Sequence, residues 1–227
     1  MQRMILVTGG TGGLGSAVVR AFLNDGATVI TTWRRRDTFT RLASELHNDR
    51  LHGAEVNLTD RTNVRAAVAE IVARFGGLDA LVHVAGGFAG GATVAETGDD
   101  VFDRMFDLNV RSAFVCTGEA MAALADRRGA IVTVASKSAL HPGVGSGAYA
   151  ASKAALVALT QSLAAEGAAS GVRANVVLPG TIATDANLDG SDPSTHTDWV
   201  RPAELAALIR FLASDAARAL NGAAIEV

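Results

Sequence analysis

At 227 residues the chain has the length of one large α/β domain closing around a single core, and 49% apolar residues with 19% charged and a mean hydropathy of +0.26 exclude a disordered chain. A net charge of −3, with no basic run longer than Arg34 to Arg36, excludes an electrostatic footprint for nucleic acid or a membrane surface, so the expected partner is a small molecule. The single Cys116 excludes an internal disulfide, five His residues form no metal-ligand spacing, no apolar run reaches membrane-spanning length, and the opening Met1-Gln2-Arg3 with MILV is too short for a signal peptide; no metal and a cytoplasmic location are expected.

Short apolar runs alternate with longer helical patterns. Strands are predicted over Met4 to Thr8, Ala27 to Thr32, Ala54 to Leu58, Ala80 to Ala85, Ala130 to Ala135, Arg173 to Leu178 and Ala223 to Val227. Most are unbroken apolar runs, as strands buried on both faces of a parallel sheet require. Helices are predicted over Gly13 to Asn24, Asp60 to Phe75, Asp99 to Ala125, Ala148 to Ala169 and Pro202 to Ser214, with Thr97 to Asp100 as a capping box for the third and Pro202 in the first turn of the last. Strict alternation implies a doubly wound parallel sheet of about seven strands with right-handed crossovers, in a single domain spanning residues 1–227. The stretch from Asp185 to Val200 is polar and unpatterned, and is predicted to be a surface loop beside the carboxyl end of a strand, where ligands lie in open α/β sheets.

The first strand runs into Thr8-Gly9-Gly10-Thr11-Gly12-Gly13-Leu14-Gly15 and then a helix. Gly10, Gly12 and Gly15 satisfy GxGxxG in the context that gives the motif meaning: a tight turn, close approach to a pyrophosphate, and helix–sheet contact, with helix N-terminal amides facing the phosphates. This defines a Rossmann-type dinucleotide site. The second strand ends Thr31-Thr32-Trp33-Arg34-Arg35-Arg36, without the acid that would hold a ribose diol. Guanidiniums there suit a 2′-phosphate, which points to NADP(H) rather than NAD(H), although a solvated charge run is the plainer alternative.

Of the 20 Lys and Arg residues only Lys137 and Lys153 are Lys, and the one Tyr, Tyr149, stands four residues before the second of them. That spacing puts phenol and ammonium on one helical face, where a cation is expected to bring the phenol toward working pH as a proton donor. In isolation such a pair is more often a surface contact; here it follows a strand ending in Ser136 and Ser138.

With these motifs the chain resembles the short-chain dehydrogenase/reductase family from Thr8 to about Val227. The glycine turn fits TGxxxGxG; Asn57 and Leu58, with Thr59, occupy the adenine-side turn, where the family usually has Asp first; and Asn109, Ser136, Tyr149 and Lys153 match the catalytic tetrad, Ser136 at the family spacing of thirteen residues before the Tyr. Pro179-Gly180-Thr181-Ile182-Ala183-Thr184 matches PGxxxT, whose backbone in the family meets the nicotinamide carboxamide and whose Thr meets the phosphate side. The family's NNAG is here His83-Val84-Ala85-Gly86, so any role of that strand end rests on the backbone of Ala85, Gly86 and Gly87, with His83 a structural neighbour rather than a base. The segment after Thr184 is short for the family, implying a small lid and an open site.

The resemblance implies reduction of a ketone or aldehyde, 3-oxoacyl groups included, with hydride from NADPH and a proton from Tyr149. It also implies a homo-oligomer, tetramer or dimer, built on the long helices. Two alternatives stand beside it. The run Val84 to Gly91 with Trp199 is similar to dihydropteridine reductases, which keeps quinonoid dihydropterin or quinone reduction open. A non-catalytic NADP(H)-binding sensor on the same fold is the other.

Overall fold

The computed structural model describes residues 2–192, 194 and 196–227. Seven strands form one fully parallel sheet: β1 (Met4–Thr8), β2 (Thr28–Trp33), β3 (Leu51–Glu55), β4 (Ala80–His83), β5 (Ala130–Val134), β6 (Arg173–Leu178) and β7 (Ala224–Glu226), in spatial order β3-β2-β1-β4-β5-β6-β7. Chain direction across the sheet reverses between β1 and β4. That crevice is where such sheets bind ligands.

Side chains alternate faces along each strand and each face has its own core. Ile5, Val7, Val82, Val132 and Val177 pack with α1 (Gly13–Asn24), α2 (Arg36–Leu46) and α8 (Pro202–Leu212). Leu6, Ile30, Leu81 and Ile131 pack on the opposite face with α3 (Arg61–Phe75), α5 (Ser112–Ala125) and α6 (Gly147–Gly167). The unbroken apolar runs are thus accounted for by burial on both sides.

Local chemistry places the helix ends. Asp60 caps α3 by accepting the N–H groups of Thr62 and Asn63. Pro202 occupies the first turn of α8, where a missing N–H costs nothing, and the Glu204 carboxylate reaches back to the Arg201 N–H at 3.2 Å. The expected box at Thr97 does not form. Gly98 caps α4 (Asp99–Phe106) without a side-chain bond, because the Thr97 hydroxyl donates instead to the Thr93 carbonyl at 2.8 Å, and Asp99 and Asp100 supply first-turn negative charge.

Three further differences have physical causes. The helix α2 was not expected: it opens on the arginine run and is polar on average, although Phe39, Leu42, Ala43 and Leu46 form a narrow apolar stripe that packs on the core. β3 lies three residues earlier than expected, since it sits at the sheet edge, where alternating exposure at His52 to Glu55 replaces an apolar run. The long helix predicted from Asp99 is interrupted by a π-turn at Asp107–Arg111, in which the Ser112 N–H reaches five residues back to the Asp107 carbonyl. Within the stretch read as a loop, Asp185–Leu188 forms a single helical turn, α7, and Ile182 pairs with Val200.

Candidate active site

A cavity of about 1090 Å³ opens at the carboxyl ends of β1 and β4. It exceeds the ~300–1,000 Å³ common for small-ligand pockets, as an extended two-part ligand requires. At one end is the glycine turn. Gly9 has φ +70°, and a Cβ there would lie 2.8 Å from the Ala85 backbone; a Cβ on Gly15 would lie 2.1 Å from the Gly9 carbonyl oxygen. Side chains at either position would push β1, β4 and α1 apart. No side chain caps α1 and no acid stands in its first turn, so its leading N–H groups face the cavity uncontested.

Arg34 lines the cavity, is exposed, and has no side-chain hydrogen bond or ion pair among the described residues. Trp33 and Arg35 line an adjoining recess of about 240 Å³. Neither is equivalent to Arg34. The Arg35 guanidinium is paired with Asp37 at 2.9 Å, and Trp33 stacks on Phe39 with its Nε1 buried and unbonded, so its indole N–H is not offered to the cavity. Asn57 and Leu58 line the opposite wall; the Asn57 Oδ1 accepts from the Thr59 hydroxyl at 2.9 Å and shapes that turn.

At the other end stand Tyr149 and Lys153 in the first turns of α6, beside Ser136 at the end of β5. The Ser136 hydroxyl lies near enough to the Tyr149 phenol to lower its pKa. It also accepts the Ser138 N–H at 3.2 Å, so the second serine of the strand end orients the first. Lys153 is buried, donates from Nζ to the Val134 carbonyl at 3.0 Å, and lies 5.7 Å from the centre of the Tyr149 ring. Burial pulls its pKa down to about 8. The expected lowering of the phenol is not what the protein's groups produce: burial raises the Tyr149 pKa and the neighbouring Ser136 offsets only part of it.

Asn109 lies in the π-turn with its amide wholly engaged. Oδ1 accepts the Gly87 N–H at 2.9 Å, while Nδ2 donates to the Gly87 carbonyl and to the Ser152 hydroxyl, each at 3.0 Å. Ser152 in turn donates to the Tyr149 carbonyl at 2.7 Å. The side chain therefore ties the β4 loop to the tyrosine helix.

The other expected residues divide by position. Gly9, Thr11, Gly12, Gly13, Leu14, Gly15, Ala85, Gly86, Gly87 and Ile182 line the cavity. Thr184 packs on the glycine turn, where a Cβ on Gly13 would meet its Cγ2 at 2.7 Å. Gly10 is turned inward against Thr31, and Thr8 is buried. Pro179 and Gly180 do not line the cavity: the Pro179 carbonyl accepts the Lys137 N–H and the Gly180 N–H goes to the Val227 carbonyl, so this part of PGxxxT holds the ends of β5 and β7.

Sequence reading missed a buried polar chain. Thr8 and His83 are register partners across β1 and β4, with Oγ1 and Nδ1 2.9 Å apart; His83 Nε2 lies 3.2 Å from Ser112 Oγ, which donates to the Leu108 carbonyl at 2.6 Å. Because Ser112 spends its one proton on Leu108, His83 donates from Nε2 and accepts from Thr8 at Nδ1. Burial, with the charge of Lys153 adding to it, holds the imidazole neutral with a pKa of about 3. The chain substitutes for the missing asparagines, and Ser112, three residues after Asn109, was its one sequence trace. Also missed was the wall formed by α4 and the π-turn, where Asp100, Asp103, Arg104 and Asp107 border the cavity.

Comparison with known proteins agrees with this geometry. Residues 3–193 match the family model for short chain dehydrogenase. The chain is 32% identical to 3beta-hydroxysteroid dehydrogenase 2 of Eggerthella lenta, over 98% of this chain and 92% of that protein. Among solved structures it superposes on ElxO with NADP bound with a TM-score of 0.94 at 26% identity, covering 100% of this chain and 97% of that one. It also superposes on a blue fluorescent protein from a metagenomic library in complex with NADPH, with a TM-score of 0.90 at 33% identity over 99% and 96%. A parallel sheet with a glycine turn at its switch point and a Ser–Tyr–Lys cluster beside it defines a nucleotide-dependent oxidoreductase. The chain belongs to the short-chain dehydrogenase family.

His83 supplies a test of the buried chain. An unfolded histidine protonates below about pH 6.5, whereas folded His83 stays neutral down to about 3, so the unfolded state binds the extra proton and stability falls as pH drops through that window. In His83→Asn the decline in urea midpoint between pH 7 and pH 4 should be measurably shallower than in the unmodified protein. Equal slopes would mean that the buried imidazole contributes nothing to acid sensitivity.

Proposed function

We propose that this protein is an NADP(H)-dependent reductase of ketone or aldehyde carbonyls, acting through Asn109, Ser136, Tyr149 and Lys153, with residues 1–227 as one nucleotide-binding domain in the cytoplasm. The observation that carries the reading is one cavity joining an uncapped helix terminus and a free Arg34 at one end to Tyr149 and Lys153 at the other, with Ser136 beside the phenol. The glycine cradle fits a pyrophosphate because Cβ atoms would close it. Thr11 to Gly15, with Thr184 behind, would hold the diphosphate; Arg34 the 2′-phosphate; Asn57 and Leu58 the adenine side; and Gly86, Gly87 and Ile182 the nicotinamide side. Two of the superposed structures, ElxO with NADP bound and the blue fluorescent protein in complex with NADPH, support this choice of cofactor.

When bound, a dihydronicotinamide supplies hydride to the carbonyl carbon. Tyr149 then gives its phenolic proton to the carbonyl oxygen, and the Ser136 hydroxyl donates to the same oxygen as negative charge grows there. A raised phenol pKa keeps Tyr149 protonated, and so ready as an acid, across the neutral range. Lys153 has one proton on Val134 and others free for a ribose hydroxyl and for reprotonating Tyr149 through water. Because the Asn109 amide is spent on Gly87 and Ser152, any relay water there is held by main chain. Its side chain positions Tyr149 and the loop at Gly87.

Three outcomes are expected. Tyr149→Phe should lower kcat by at least about a hundredfold, the low end of general-acid effects, while the Kd for NADPH stays within about twofold. In the unmodified enzyme reduction should be level below pH 8 and decline above it as Lys153 loses its proton. A near-normal kcat in the variant, seen in steady-state rates, would remove Tyr149 from this role.

For the cofactor, Arg34→Ala should raise the KM for NADPH about ten- to a hundredfold, the cost of one charged hydrogen-bond partner, and leave NADH nearly unchanged. Equal use of both cofactors by the unmodified protein would sink the assignment; an effect confined to Arg35→Ala would move it by one residue.

The reading includes a homo-oligomer, tetramer or dimer, joined through α4–α5 and α6, where Phe102 and Phe114 stand exposed on helices rich in small residues. Light scattering at micromolar concentration should return a mass of two or four chains; a monomer alone would refute it.

A further inference from the structure

Resting on the carbonyl-reductase reading, we propose that the substrate is an uncharged ketone carried on an apolar ring, seated between the loop of Phe88 and Val94 and the loop of Leu140 and Val144. The three most exposed large apolar side chains among the described residues are Val144 (99%), Val94 (78%) and Phe88 (68%). Single exposed apolar residues are ordinary, but Phe88 and Val94 both lie against the start of the tyrosine helix. The Phe88 ring stands perpendicular to that of Tyr149 with centroids 4.9 Å apart. The Val94 side chain covers Gly147, two residues before Tyr149, where a Cβ would meet Val94 Cγ2 at 2.7 Å. Leu140 and Val144 lie in the segment between Ser136 and Tyr149, and the two loops are joined by the Gly91 N–H donating to the Gly145 carbonyl at 2.9 Å.

Phe88 and Val94 thus set an apolar rim beside the proton donor, with the loop of Leu140 and Val144 tied to it. Such a rim favours a compact ring, which buries area without freezing internal rotations, over an extended acyl chain. The adjoining cavity wall carries Asp100, Asp103 and Arg104 on α4 and Asp107, paired with Arg111, in the π-turn, so it offers no concentrated positive charge to a phosphate or carboxylate. On the other side His141 faces Glu226 at 3.4 Å, and the stem of Lys137 lies beside Gly180.

The test is initial-rate kinetics of the full-length enzyme with NADPH and three probes: cyclohexyl methyl ketone, 2-butanone and acetoacetyl-CoA. The ring ketone should show a kcat/KM at least about tenfold above either other probe. Val144→Ser, at a side chain that is almost wholly exposed, should lower kcat/KM for the ring ketone about threefold and leave that for 2-butanone within experimental error. Phe88→Ala should lower it about tenfold with an unchanged Kd for NADPH. Preference for 2-butanone or acetoacetyl-CoA, or an unaltered ring-ketone rate in Val144→Ser, would overturn the proposal while leaving carbonyl reduction standing. Binding of NADPH with no oxidation by any probe would overturn the carbonyl-reductase reading itself, and this inference with it.

Discussion

The ammonium of Lys153 is buried, and the neighbouring parts of the site are arranged around that charge. Removing a cation from water is costly unless hydrogen bonds replace its hydration, and the Val134 carbonyl at the end of β5 supplies one. The same charge bears on His83, which burial already disfavours as an imidazolium, and so the histidine remains neutral. A neutral imidazole donates at one nitrogen and accepts at the other. That property makes the chain from Thr8 through His83 and Ser112 to Leu108 directional, and fastens the ends of β1 and β4 to the π-turn. The turn carries Asn109, whose amide clasps Gly87; Gly86 beside it passes so close to Lys153 that a Cβ would lie 3.3 Å from Nζ. The circuit returns to the residue where it began.

The end of β4 carries neither asparagine of the motif usual in the family. Here a histidine with Thr8 and Ser112 links β1 and β4 to the π-turn, and the Ala85 N–H reaches the Thr8 hydroxyl at 3.4 Å. Different side chains satisfy the same buried main-chain demands, because what must be conserved physically is the bonding of those groups rather than the residue type.

The nucleotide end obeys a different constraint, closeness of backbone. Gly9 against Ala85 and Gly15 against Gly9 leave no room for side chains, and so the leading amides of α1 face open space. Charge is added separately, at the tip of β2. Of three consecutive arginines, pairing with Asp37 occupies Arg35 and the start of α2 takes up Arg36, leaving Arg34 facing the cavity.

Sequence by itself determined the parallel sheet, six of its strand positions within about two residues, the glycine turn and the pairing of Tyr149 with Lys153. These follow from local rules: period, turn chemistry and helical spacing act within a few residues. Edge strand β3, the polar helix α2 and the π-turn were not legible, because their identity depends on which neighbour covers them. Only tertiary structure decided the direction of the Tyr149 pKa, since burial is a property of the whole packing and outweighs the lowering by Ser136. Tertiary structure likewise separated Arg34 from Arg35, turned Pro179 and Gly180 away from the cavity, and joined Thr8, His83 and Ser112 across 104 residues of chain into one hydrogen-bonded chain. Contacts between strands distant in sequence carry no local signature; they exist only once β1 and β4 lie side by side.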